Sequence, residues 1–222
     1  MNKLAPLAFL GLLACTGTDD GDTDLAVDPM LEGSVYRLNV NSLTIAGADS
    51  GLNDLVKLFF SQAVLARLTD VSDTEMTMTL ALGDPDTDPI VRNPCFGDIS
   101  LPPVAIDAEM SFALGPQDLE VPSVAGDFTI GDFSLDGTIA EDGDDIEDLL
   151  LEGAVDFRLA EGSSFGTPEG LCESFTDLGV PCGACPDGEL LCADLEISGL
   201  SAARVEGVDW TRPEPQPGEC DE

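Results

Sequence analysis

Histidine is missing from all 222 residues, and that absence removes more chemistry than any motif in the chain adds. It takes away the usual base of serine and cysteine nucleophiles and the commonest zinc ligand. Cations are nearly as scarce: 8 Lys and Arg stand against 44 Asp and Glu, a net charge of −36, and Lys3 and Lys57 are the only lysines. A surface of that sign repels nucleic acid and anionic headgroups at ordinary salt, so no nucleic-acid partner is expected. No period of the 20–50 residues typical of repeat proteins recurs. Such charge would ordinarily point to disorder, but 43% hydrophobic residues and a mean hydropathy of +0.12 leave enough apolar surface to bury a core.

The first stretch, MNKLAPLAFLGLLAC, fixes where the rest belongs. Lys3 supplies a positive end, residues 4–13 a short apolar core, and small Ala14 precedes a cysteine. This is the layout of a secretory signal, too short for a permanent membrane helix. Residues 1–14 are expected to be removed as a signal peptide. Residues 15–33 then form an acidic tether (CTGTDDGDTDLAVDPMLEG) that repels itself and would reach on the order of 60 Å when stretched. Its Asp spacing suggests calcium, but Pro29 and the lack of a preceding helix argue against an EF-hand loop ending near Glu32. Calcium is the one cofactor kept in view, also at the acid-rich residues 84–88 and 141–145.

Seven cysteines punctuate the chain. With Cys15 set aside, six remain, an even count that in an exported chain reads as a disulfide framework. Proximity favours Cys185 with Cys192 across a Pro186-Asp187-Gly188 turn and Cys172 with Cys182. Cys95 and Cys220 are left for each other. Cys182-Gly183-Ala184-Cys185 has no second closely spaced pair to complete a zinc site, and the turn that follows it is not the helix a redox site requires.

For residues 34–210 the patterning predicts a single α+β domain, followed by a Pro-rich tail over residues 211–222. Tyr36, Leu38 and Val40 alternate with polar neighbours, as do Met76, Met78, Leu80 and Leu82, which signals antiparallel sheet. Val104 to Leu114 read as one more alternating strand, and Leu149, Leu151, Val155 and Phe157 as another. Residues 52–68 read as one long helix capped by Ser50, apolar round most of its circumference and packed on the sheet. Residues 168–178 read as a short helix stapled by cysteines, with Thr167 as N-cap and Gly179 as stop.

Gly162-Ser163-Ser164-Phe165-Gly166 matches the serine-hydrolase elbow, but no histidine exists to activate Ser164, and Lys57 lies in the apolar stretch. Catalytic carboxylates cannot be chosen among so many, and no catalytic residue is singled out. Phe59 and Phe60 on the broad helix are candidate contacts for an apolar ligand such as an acyl chain held beneath it.

Leu12-Leu13-Ala14-Cys15 resembles a bacterial lipobox, and with the cysteine layout the chain resembles uncharacterised lipoproteins of Gram-negative bacteria. The resemblance implies that Cys15 becomes the acylated N-terminus, carrying palmitate-type chains into the lipid membrane, and that Thr16, in place of Asp, directs it to the outer membrane. It implies no activity. The expected function is that of a membrane-anchored structural or binding module; the alternative is an extracytoplasmic hydrolase using carboxylates or calcium.

Overall fold

The computed structural model describes residues 31–59, 62–121, 128–160, 167–216 and 220. In chain order these form β1 (Val35–Asn39), β2 (Thr44–Ile45), α1 (Ser50–Phe59), β3 (Ala63–Thr69), β4 (Glu75–Asp84), β5 (Val91–Arg92), β6 (Ile99–Ser100), β7 (Val104–Ala105), β8 (Ser111–Val121), β9 (Phe128–Ile139) and β10 (Asp145–Asp156). A 3₁₀ turn (Phe157–Ala160), α2 (Pro168–Asp177), β11 (Cys182–Ala184) and β12 (Leu190–Val205) complete the order.

The fold is mostly antiparallel β, which corrects the α+β expectation: the two helices span ten residues each, and no long packed helix is present among the described residues. The stretch read as one helix over residues 52–68 divides into α1 and β3. The misreading has a physical cause. Leu68 faces the central core, while Ala63 and Leu65 on the opposite face pack against Val35 and Ile90, with Val205, Val208 and Trp210 over them. A strand covered on both faces loses its alternation and extends an apolar run as a helix would. The cap also differs: Asp49, not Ser50, uses its Oδ1 to accept from the Leu52 N–H at 3.0 Å. The single strand expected over Val104 to Leu114 is instead a hairpin. The Asp107 carboxylate accepts from the N–H groups of Glu109 (3.0 Å) and Ser111 (2.8 Å) and turns the chain, with Met110 at φ +61°.

The sheet runs β5-β4-β3-β1-β12-β10-β9-β8. It curls back on itself, because β7 pairs with β4 through Met76↔Val104 and Ile106, the residue after β7, bridges Phe112 at the start of β8. The curled sheet encloses a core fed by every long strand, including Tyr36, Leu68, Met76, Phe133, Ile146 and Ala202. Tyr36 is fully buried; its hydroxyl donates to the Gly143 carbonyl at 2.8 Å, and burial raises its pKa above the ordinary phenol value.

The helices lock to each other at their ends. The Asp49 N–H donates to the Leu178 carbonyl at 2.9 Å, and Gly179 (φ +95°) passes so near the Gly47 carbonyl that a Cβ would sit 2.5 Å from its oxygen. Only glycine fits there. The Thr167 side chain accepts from the Gly170 N–H at the start of α2.

Candidate functional site

Three disulfides, Cys95–Cys220, Cys172–Cys182 and Cys185–Cys192, use six of the seven cysteines. Cys172–Cys182 ties α2 to β11, and Cys185–Cys192 ties the β11 turn to β12. Cys185, with Ala184 and Pro186, forms one wall of a cleft of about 550 Å³ on the outer face of β9, β10 and β12. The other wall carries Asp132, Glu152, Asp194 and Glu196. Glu152 stands directly opposite Glu196 in the ladder, a like-charge pairing that opposes folding and leaves a strongly negative patch.

Beside this cleft lies Arg158. Its guanidinium donates to both oxygens of Asp156, at 2.8 and 2.6 Å, and reaches Asp187 Oδ2 at 2.9 Å. The end of β10 is thereby joined to the turn between β11 and β12. Both carboxyls are held below their ordinary range: Asp156 chiefly by the Arg158 hydrogen bonds, Asp187 chiefly by the Glu189 backbone N–H and then by Arg158. A lowered folded-state pKa contributes stability that is full above the ordinary carboxylate value of about 3.9 and is lost as the pH falls through the lowered value. The unfolding temperature is therefore expected to drop on the acid side of about pH 4. Arg158→Gln should flatten that limb in a thermal-melt series; an unchanged limb would refute the assignment.

The sulfurs of Cys185 and Cys192 and a carboxylate oxygen of Asp156 lie within 4.8 Å of one another. They do not make a metal centre, since both sulfurs are consumed in the disulfide and Asp156 is engaged by Arg158. The loops considered for calcium use carboxylates to hold their own turns: Asp84 Oδ1 accepts from the Asp86 N–H at 2.9 Å, and Asp142 Oδ1 from the Asp144 N–H at 3.1 Å. Glu32 accepts from the Val71 N–H at 2.9 Å.

A second cluster, which the sequence reading missed, covers the outer face of β3 and the start of β1. Arg92 is 3% exposed. It pairs with Asp98, donates to the Trp210 carbonyl at 2.7 Å and lies 4.9 Å from the centre of the Trp210 ring. Arg67 approaches the same ring at 5.8 Å. A parallel bridge, Val91↔Asp209, and the Cys95–Cys220 disulfide hold this C-terminal strap down. The signal was the rarity of arginine itself.

Phe59 ends α1, but its side chain, together with Phe60, lies outside the described residues, as do Cys15 and Ser164. The long helix under which a ligand cavity was expected does not form. Comparison with protein-family models, curated proteins and solved structures finds no match for this chain.

Proposed function

We propose that this chain is an exported, lipid-anchored protein of the cell envelope, held through acylated Cys15 and presenting a disulfide-stapled β domain as a structural or binding module. The observation that carries the reading is the cysteine count: all six cysteines after Cys15 are paired, so the lipobox cysteine is the one left for acyl chemistry. The pairing also agrees with an oxidising compartment, where such staples persist. Two or three acyl chains give stable anchoring where a single chain gives marginal, reversible binding. Thr16 after the acylated residue favours the outer membrane.

Metabolic labelling with an alkyne fatty acid, followed by mass spectrometry of the mature N-terminal peptide, is expected to find acylated Cys15. Cys15→Ala should move the protein from the membrane fraction to the soluble fraction almost completely. An unmodified peptide beginning elsewhere in the chain would end the proposal.

A further inference from the structure

Although 44 of the 222 residues are acidic, only one set of three cysteine, aspartate or glutamate side chains converges closely among the described residues: Asp156, Cys185 and Cys192, whose ligand atoms lie within 4.8 Å of one another. The ladder puts them on one face. Asp156 stands directly opposite Cys192, so both side chains leave the same side of β10 and β12, and the disulfide brings Cys185 to that side from the turn after β11. Ala154, two residues before Asp156, packs against both cysteines there.

In the oxidised chain this set is no metal centre, but the placement of the two sulfurs does not depend on the bond between them. The Cys185 N–H donates to the Glu189 carbonyl at 2.6 Å and the Gly188 N–H to the Cys185 carbonyl at 2.8 Å, which closes the turn, while Cys192 is fixed between Gly183 and Asp156 in its two ladders. Opened, the bridge leaves two thiols beside a carboxylate. Bonds of about 2.0–2.3 Å put neighbouring ligands on one zinc ion about 3.3–3.8 Å apart, so the three need to close by only about 1 Å. Asp156 Oδ1 accepts from both the N–H and the Nε of Arg158, whereas Oδ2 accepts from one guanidinium nitrogen and keeps a lone pair. Cys185 also lines the acidic cleft, whose carboxylates concentrate cations at its mouth.

We propose that Cys185 and Cys192, once reduced, bind a divalent cation of the zinc class together with Asp156, which makes this bridge a redox-gated metal site. A thiol donor opens it: two donor thiols become one disulfide, two electrons pass to the bridge, and each of its sulfurs takes a proton. Entry of the cation then displaces those two protons to solvent. Two sulfur ligands select zinc over calcium or magnesium, which prefer oxygen, and three protein ligands leave a fourth position to water. Two thiolates and a carboxylate around a dication leave one negative charge, beside the Arg158 guanidinium. Neither the membrane anchor nor Cys15 takes part.

The full chain carrying Cys15→Ala is equilibrated in glutathione buffers of graded poise, with free Zn²⁺ clamped by nitrilotriacetate over a concentration series, and each bridge is read separately by differential alkylation and peptide mass spectrometry. A cation that binds only the dithiol multiplies the ratio of dithiol to disulfide by about tenfold when its free concentration is about ten times Kd. Zinc is therefore expected to shift the midpoint of Cys185–Cys192 toward opening and calcium to leave it in place, while Cys172–Cys182 and Cys95–Cys220 respond to neither. Asp156→Asn should weaken zinc by at least about tenfold, since loss of even an outer-shell partner does as much. Asp156→Asn combined with Arg158→Gln gives the same reading without a stranded cation if the single variant disturbs the fold. No zinc shift anywhere in the series, an equal shift of all three bridges, an equal response to calcium, or an undiminished shift in both Asp156 variants would each overturn the proposal. Failure of Cys15 acylation would leave it untouched.

Discussion

Replacing Cys95 and Cys220 together by serine is expected to lower the unfolding free energy by about 5 kcal/mol, against about 2.5–3 kcal/mol for either of the other staples. The difference comes from the loop each bridge closes. Cys95 and Cys220 are 125 residues apart, whereas Cys172–Cys182 and Cys185–Cys192 span 10 and 7. The entropy removed from the unfolded chain grows with the logarithm of that separation. In the folded state the strap keeps its other fastenings, the Val91↔Asp209 bridge and the Arg92–Trp210 contacts, so the cost falls mainly on the unfolded ensemble. Guanidinium denaturation of the three double-serine variants measures it. A Cys95/Cys220 variant no less stable than the other two would show that the strap contributes little closure.

Asp98→Ala should be the most damaging single exchange outside the main core, at about 3 kcal/mol. Arg92 is 3% exposed and cannot be rehydrated in place, while Asp98 is 37% exposed, which puts the cost at the lower end of the range for a broken buried pair. The penalty belongs to the stranded cation rather than to the lost attraction. Removing both charges, in Arg92→Met with Asp98→Ala, should therefore recover more than half of the loss even though it also ends the Trp210 contact. A urea-based double-mutant cycle separates the two terms. A single variant within about 1 kcal/mol of wild type, or a double variant less stable than Asp98→Ala, would contradict this account.

Legibility in the sequence followed burial. β1, β4 and β10 are covered on one face through much of their length, and their alternation was visible at Tyr36, Met76 and Leu149. β3 was invisible as a strand because Leu65 and Leu68 are both buried, on opposite faces. The β7–β8 hairpin was hidden by parity: an odd number of residues separates the bridged pair Ile106 and Phe112, so Val104, Ile106, Phe112 and Leu114 stay in phase across the turn. The local signals around α2, Thr167, Pro168 and Gly179, lie within one turn of its ends and could be read directly. The Arg92–Trp210 cluster could not. It gathers residues from both halves of the chain through the Val91↔Asp209 bridge and the Arg92–Trp210 contacts, for which no local pattern speaks. The acidic cleft was equally silent, since 44 carboxylates give no hint of which four share a face.

The first-to-last pairing of β1 with β12 has a mechanical consequence. β1 enters the sheet at Val35, beside Val205 at the end of β12 and Arg67 in β3, so any pull transmitted through the preceding residues arrives at one end of β1. Asn39 lies at the other end. A load applied between Val35 and Asn39 would run along the strand axis and shear both ladders, from Val35↔Val205 to Asn39↔Ser201 on one side and from Val35↔Arg67 to Arg37↔Leu65 on the other. Bonds loaded in shear must fail together, whereas bonds peeled from an edge fail one by one. The placement of β1 between two antiparallel neighbours makes this strand the part of the sheet best suited to carry tension.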